Sequence, residues 1–239
     1  MQTLIHPNYG RSPAVARLEP LRIVAIGDSL VYGFGDPEGG GWVERLRRHW
    51  MDPQSAGHIL YNLGVRGDGV NQVSQRLEQE FRYRGELRHR VPDALILSFG
   101  INDSARVGKP TGRHLVPMDE FKQSLDALLD HAQALCPVLF VGMPPVDEHR
   151  MPFAEVLYYS HADQRQYKHV TKDACNLRGI PYLDIYDQWI AQGECWWRSR
   201  LSADGIHPNV AGYTSLLEAF MGWDAAAPWL QMPVQMVAS

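Results

Sequence analysis

The chain has 239 residues, and its 23 lysines and arginines against 27 aspartates and glutamates give a formal net charge of −4. This small acidic excess argues against a nucleic-acid-binding protein, because such domains carry a concentrated positive charge. Three cysteines without a Cys-x-x-Cys pair exclude a disulfide scaffold and show no zinc-ligand pattern. The length suits one large domain that folds without cross-links.

Two features of the sequence bear on location. It has no run of about 18 apolar residues, so it predicts no membrane span. The first 20 residues lack a basic start followed by an apolar stretch, which argues against a secretory signal. We therefore expect a cytoplasmic protein. The expected domain covers residues 21–223, between an N-terminal extension (1–20) and an apolar C-terminal tail (224–239) suited to packing on the same domain or on a second subunit of a homo-oligomer.

Short apolar runs alternate with segments of helical periodicity along the chain. The expected strands are Leu21–Ile26, Ile59–Leu63, Ala94–Phe99, Val138–Gly142 and Tyr182–Ile185. The expected helices are Trp42–Met51, Val70–Phe81, Phe121–Leu135 with Asp119 as its cap, Ser160–Leu177, and Val210–Met221 with Asn209 as its cap. Apolar strands that are each followed by a helix are typical of a parallel sheet covered on both faces. We predict an α/β fold, a three-layer α/β/α sandwich, with its site at the carboxyl ends of the strands.

Gly27-Asp28-Ser29-Leu30 directly follows the first expected strand. A serine at a strand-to-helix turn has its hydroxyl near the positive end of the helix, which favours negative charge developing there. An alternative is that Ser29 only caps the helix. Position 31 is valine, so the Gly-x-Ser-x-Gly nucleophile elbow is absent.

Two further polar segments follow the next two strands. Asn62 to Gly67 contains glycines that let a backbone amide approach a ligand, although a plain turn explains them equally. Gly100-Ile101-Asn102-Asp103 contains an uncharged amide that suits oxyanion stabilisation or, alternatively, an Asx turn. We expect Asp103 to be structural.

Asp204-Gly205-Ile206-His207-Pro208 precedes the last expected helix. An aspartate three residues before a histidine can reach the imidazole and select its tautomer. Together the four segments supply a nucleophile, a base, an orienting carboxylate and oxyanion donors, which is a complete set for acyl transfer.

The four segments, in this order, resemble the motif blocks of the SGNH (GDSL) hydrolases, a family of GDSL-type esterases and lipases, over about residues 21–222. The resemblance implies a five-stranded, parallel, flavodoxin-like sheet. It also implies that Ser29 is the nucleophile, that His207 is the base and then the acid, and that Asp204 orients the imidazole.

The same resemblance implies an oxyanion hole. Its donors would be the backbone N–H groups of Ser29 and Gly67 and the side-chain amide of Asn102. Gly67 is preferred to Gly64 because Gly67-Asp68 matches the Gly-Asp pair usual in the family. We expect Gly64 to serve a tight turn.

The function implied is a serine hydrolase for carboxylic or thio esters of short to medium acyl groups. A carbohydrate O-acetyl esterase, an acyltransferase and a non-catalytic binding protein are the alternatives.

The pocket would be lined by loops near the strand ends, and the candidates are Val31–Gly41, Ser104–Val116 and Met143–Tyr159. The predicted pocket residues are Asp28, Leu30, Met143, Val146 and Ile206. The expected partner is a small ester, and no metal or organic cofactor is implied, because side chains and backbone amides supply every group.

Overall fold

A computed structural model describes residues 20–84 and 91–230. The strands are β1 (Arg22–Gly27), β2 (Ile59–Gly64), β3 (Ala94–Ser98), β4 (Arg106–Val107), β5 (Val138–Val141), β6 (Leu157–Tyr158) and β7 (Tyr182–Leu183). Five of them form a parallel sheet, as expected, and their order in it is β2-β1-β3-β5-β7. The antiparallel pair β4–β6 lies outside that sheet and was not predicted.

The helices include all five that the sequence predicts, at nearly the predicted positions, and further ones that it does not, such as the helix that starts at Ile185, a residue predicted to end the last strand. They are α1 (Ser29–Tyr32), α2 (Gly41–Trp50), α3 (Val70–Tyr83), α4 (Met118–Leu135), α5 (His161–Leu177), α6 (Ile185–Ala191), α7 (Glu194–Arg198), α8 (Val210–Met221) and α9 (Ala227–Leu230). The predicted cap of α8 is confirmed, because Asn209 Oδ1 accepts from the N–H of Gly212 over 3.0 Å. The predicted cap of α4 is wrong: Pro117 holds that position, and Asp119 lies in the first turn, where its charge favours the helix dipole.

The strands separate two apolar cores, because successive side chains of a strand point to opposite faces of the sheet. Val24 and Phe140 belong to one core with residues of α3, α4 and α5. Ile23 and Val141 belong to the other with residues of α2, α6 and α8. The predicted three-layer sandwich is therefore confirmed.

The register of the three central strands aligns their carboxyl ends. Gly27 at the end of β1 pairs with Gly64 of β2 and with Ser98 of β3. The segments that follow these strands therefore meet at one edge. The expected turn role of Gly64 is wrong, because Gly64 belongs to β2. A Cβ there would lie 2.0 Å from the backbone nitrogen of Tyr32, so a glycine lets α1 pack against the strand.

The first part of the C-terminal tail packs on its own domain. Trp229 and Leu230 of α9 contact the core that contains α2 and α8. The predicted extension lies, except for Pro20, outside the described residues, as do residues 231–239 of the tail. Within the described ranges, no helix has the length and apolar character needed to cross a bilayer.

Candidate active site

A chain of hydrogen bonds joins three of the predicted residues. His207 Nε2 lies 2.8 Å from Ser29 Oγ. His207 Nδ1 lies 2.7 Å from Asp204 Oδ2. Ser29 opens α1 at the end of β1, whereas Asp204 and His207 lie in the turn before α8, so the fold joins segments that are 178 positions apart.

Asp204 is held by its own turn. Its Oδ1 accepts from the backbone N–H groups of Ile206 and His207, over 2.9 and 3.0 Å. Burial acts to raise the pKa of Asp204, but the hydrogen bonds from the His207 ring and these two amides outweigh it and lower the pKa. An ionised carboxylate only accepts, so Nδ1 of His207 carries the ring proton and Nε2 accepts from the Ser29 hydroxyl.

Two aromatic rings flank the imidazole of His207. The ring centroid of Phe34 lies 4.7 Å away and that of Phe153 lies 5.9 Å away, both edge-to-face. His207 is itself buried. The imidazole is therefore packed in one orientation as well as hydrogen-bonded at both nitrogens.

Asp28 supports the turn that carries Ser29. Its Oδ1 accepts from the N–H of Leu30 over 2.8 Å and caps α1. Asp28 is fully buried, and this burial raises its pKa to about 8, with smaller contributions from the charges of Asp103 and Asp68. Asp28 therefore lies in the protein interior beneath the turn that carries Ser29, not on the cleft surface.

Three N–H donors are available near Ser29. Ser29 is the first residue of α1, where an N–H has no intrahelical acceptor. Gly67 adopts φ = +85° and is exposed. Asn102 Nδ2 donates to the carbonyl of Asp68 over 2.9 Å, and Asn102 Oδ1 accepts from the hydroxyl of Tyr159 over 3.4 Å. An amide nitrogen has two N–H groups, so one remains for a ligand.

Arg76 of α3 reaches the ends of two strands. Its Nη1 donates to the carbonyl of Leu63 over 2.9 Å, and its Nη2 donates to the carbonyl of Gly27 over 2.8 Å. These carbonyls lie where β2 and β1 end, next to the segments of Gly67 and Ser29. Arg76 therefore stabilises the backbone on both sides of the site.

Asp103 has the structural place that the sequence analysis expects. It is fully buried and its carboxylate accepts from the N–H of Val70, the first residue of α3, over 3.0 Å. A Cβ at Gly69 would lie 2.5 Å from Asp103 Oδ1, so this contact requires a glycine. Burial raises the pKa of Asp103 to about 6.

A cleft of about 350 Å³ opens at Ser29. Its lining residues are Ser29, Arg66, Gly67, Asn102, Leu115, Phe153, Leu157, Tyr159, Ile206 and His207. Among the five predicted pocket residues, Ile206 lies in this lining. The other four, Asp28, Leu30, Met143 and Val146, are buried in the interior, which differs from the predicted placement.

The predicted wall loops join each other at the cleft. β4 comes from the loop after β3 and pairs with β6 from the loop after β5. Arg106 binds both oxygens of Asp163, over 2.8 and 2.7 Å, and His114 Nε2 lies 2.8 Å from the same carboxylate. Burial acts to raise the pKa of Asp163, but these partners and Ser160 lower it to about 2. These contacts anchor the loop after β3 to α5, and Gln164 of α5 holds the loop after β5, because its Nε2 donates to the carbonyl of Pro144 over 3.0 Å.

Sequence reasoning missed several residues of the site. Phe34 and Leu115 lie in predicted wall loops but were not singled out, and Arg66 and Arg76 were not predicted to belong to the site. Arg66 lies inside the second motif block, and this position in the sequence could have indicated that it belongs to the site. Arg76 is an ordinary polar residue of a helix, and nothing local distinguishes it.

The fold and the site together define an α/β/α protein of the SGNH type. Residues 25–214 match the GDSL-like lipase/acylhydrolase family, and the chain belongs to that family. The family predicted from the four motif blocks is therefore confirmed.

Two GDSL esterases/lipases from plants are similar to the chain, one over nearly its whole length and the other over about half of it. The chain is 24% identical to the GDSL esterase/lipase WDL1 of Oryza sativa subsp. japonica, over 95% of this chain and 87% of that protein. It is 31% identical to the GDSL esterase/lipase At5g62930 of Arabidopsis thaliana, over 51% of this chain and 54% of that protein.

Solved structures share the fold. The lipase/acylhydrolase from Enterococcus faecalis superposes with a TM-score of 0.71 at 20% identity, over 90% of this chain and 100% of that one. The acetylxylan esterase Axe2 from Geobacillus stearothermophilus superposes with a TM-score of 0.63 at 19% identity, over 91% of this chain and 100% of that one. At these identities the likeness establishes the fold.

Proposed function

We propose that the protein is a serine hydrolase that cleaves carboxylic or thio esters of short to medium acyl groups. The observation that carries this proposal is the hydrogen-bonded chain from Ser29 through His207 to Asp204. It joins a weak nucleophile to a base, and the base to a carboxylate that selects its tautomer. Membership of the GDSL-like family supports the same class of reaction.

In the first half of the reaction, Ser29 Oγ forms a bond to the ester carbonyl carbon while its proton passes to His207 Nε2. The carbonyl electron pair moves onto oxygen, and the N–H groups of Ser29, Gly67 and Asn102 stabilise that negative charge. When the electron pair on the oxyanion re-forms the carbonyl double bond, the bond to the leaving oxygen or sulfur breaks. The leaving group takes the proton from His207, and the acyl group remains on Ser29.

In the second half, a water molecule takes the place of the leaving group. His207 accepts a proton from the water as its oxygen attacks the acyl carbon. The tetrahedral oxyanion forms against the same donors, and its collapse breaks the bond to Ser29 Oγ. His207 returns the proton to Ser29, and the carboxylic acid leaves.

The size and lining of the cleft support a short to medium acyl group. A volume of about 350 Å³ lies at the lower end of the range for small-molecule sites. Leu115, Phe153, Leu157 and Ile206 form an apolar part of the wall, which suits an acyl chain.

The test combines covalent labelling with a substrate series. The wild-type protein is treated with a fluorophosphonate probe, and the labelled peptide is located by mass spectrometry. Hydrolysis is measured on p-nitrophenyl esters from acetate to dodecanoate, with acetylated xylo-oligosaccharides and acyl-coenzyme A in parallel. We expect the label on Ser29 and the highest kcat/KM on esters between acetate and octanoate.

Two variants complete the experiment. Ser29→Ala should abolish labelling and turnover while leaving the circular dichroism spectrum and the melting temperature unchanged. Ser199→Ala, at an exposed serine outside the cleft, is the matched control and should behave as wild type. Turnover that survives Ser29→Ala would contradict the proposed nucleophile. A wild-type protein that neither reacts with the probe nor turns over any ester would favour the non-catalytic alternative.

A further inference from the structure

The cleft beside Ser29 carries an unbalanced positive charge. Within the described part of the chain, Arg66 is the residue of the cleft lining that has a permanent charge. The lining contains neither aspartate nor glutamate. The carboxylates of Asp204 and Asp68, which lie near lining residues in the chain, are occupied by His207 and Arg76. A ligand in the cleft therefore meets a cation without a competing carboxylate.

Arg66 is held in place by stacking. Its guanidinium carbon lies 3.8 Å from the ring centroid of Phe34. Phe34 in turn lies against the imidazole of His207, with ring centroids 4.7 Å apart. Stacking uses the face of the guanidinium and leaves its N–H edge available for a planar or tetrahedral anion. The positive charge of Arg66 is thus positioned near His207, with the ring of Phe34 between them.

Arg66 differs from two other arginines of the site in having no carboxylate partner among the described residues. Arg76 binds the carboxylate of Asp68, and Arg106 binds that of Asp163. Among residues 20–84 and 91–230, no carboxylate pairs with Arg66. Arg76 and Arg106 are therefore neutralised by carboxylates, whereas Arg66, which lines the cleft, is not.

We propose that the natural substrate is an anionic ester and that Arg66 binds its carboxylate or phosphate group. This inference rests on the proposed function. The leaving oxygen takes its proton from His207, Phe34 lies against His207, and Arg66 stacks on Phe34. The anionic group therefore belongs to the alcohol part of the ester. The apolar wall at Leu115 and Leu157 is left for the acyl chain.

The test compares two esters that share an acyl group and differ in charge. 4-Acetoxybenzoate is anionic, and 4-acetoxybenzamide is its neutral analogue. The measured quantity is the ratio of their kcat/KM values in wild type and in variants, so that intrinsic reactivity cancels. We expect Arg66→Gln to lower this ratio about tenfold and Arg66→Lys to lower it less, because lysine keeps the charge and loses the planar fork. Added salt should lower the wild-type ratio.

Arg82→Gln is the matched control. It removes the same charge from an exposed position on α3, where Arg82 pairs with Glu78, and it should leave the ratio unchanged. An acyl-side pair, p-nitrophenyl hemisuccinate against p-nitrophenyl pentanoate, tests the placement of the anion. A loss confined to the hemisuccinate would overturn the assignment to the alcohol part.

The outcomes separate this inference from the proposed function. If both acetoxy esters are hydrolysed and Arg66→Gln leaves their ratio unchanged, the role of Arg66 is wrong and the ester hydrolase stands. If wild type hydrolyses neither ester nor any p-nitrophenyl ester, the proposed function itself fails. Tryptophan fluorescence and the melting temperature verify that each Arg66 variant is folded.

Discussion

Arg76 Nε donates to Asp68 Oδ2 over 2.7 Å, and this ion pair connects α3 to the loop that contains Gly67. The backbone carbonyl of Asp68 accepts from Asn102 Nδ2 over 2.9 Å. One ion pair is therefore linked to two of the three proposed oxyanion donors. Preorganised donors stabilise an oxyanion because they need no reorientation as the charge develops.

Arg76 is accordingly a positioning residue, and its replacement should act on kcat. Arg76→Gln removes the ion pair and the bonds to the carbonyls of Leu63 and Gly27. We expect kcat for p-nitrophenyl butyrate to fall by about tenfold with KM nearly unchanged, because the misplaced donors act mainly on the transition state. Arg82→Gln on the same helix should change neither constant. A higher KM with an unchanged kcat would refute this role.

Asn102 should be more sensitive to an acidic replacement than to truncation. Asn102→Ala removes one donor, and the loss of a single oxyanion donor lowers kcat by about 10²–10³. Asn102→Asp adds a negative charge beside the developing oxyanion and also loses the bond to the Asp68 carbonyl. We therefore expect kcat to be lower for Asn102→Asp than for Asn102→Ala above pH 7. Equal or greater activity of the aspartate variant would exclude Asn102 as an oxyanion donor.

The buried Asp28 should make stability depend on pH. Its pKa is about 8 in the folded protein, whereas an aspartate of an unfolded chain titrates near about 4. At pH values between these two, Asp28 therefore takes up a proton when the chain folds. The contribution of Asp28 to the free energy of unfolding is greatest below about pH 4 and is lost as the pH rises through about 8.

Asp28→Asn tests this dependence. The variant keeps an oxygen that can accept from the N–H of Leu30 and cannot ionise. Between about pH 5 and pH 9, its free energy of unfolding by urea should fall less steeply than that of wild type. Asp52→Asn, at an exposed aspartate, should follow the wild-type curve. Parallel curves for Asp28→Asn and wild type would show that Asp28 does not titrate in this window.

Local sequence patterns account for most of the elements. The apolar run before Ser29 predicts β1 because its side chains are buried on both faces of the sheet. Asn209 predicts the start of α8 because its side-chain oxygen can accept from an N–H group in the first turn of the helix. The contact of Asp204 with His207 is local in the same sense, since three residues separate them. These features depend on neighbours in the chain.

Other features depend on segments that meet only in the folded protein. The loop 143–160 contains several apolar residues, but the sequence does not distinguish those that line the cleft from those that enter the core. Phe153 and Leu157 line the cleft, whereas Met143 and Val146 are buried beneath it. Their orientation follows from the pairing of β6 with β4 and from the bond between Gln164 of α5 and the carbonyl of Pro144.

The sequence by itself determined the family, the order of most elements and the side chains that we propose react, because periodicity, caps and short motifs are read from neighbouring residues. The tertiary structure decided which surfaces face the substrate. The distance of 2.8 Å between Ser29 and His207, the stacking of Arg66 on Phe34 and the position of Arg76 all depend on how distant segments pack. That packing is a property of the whole chain, and no local pattern encodes it.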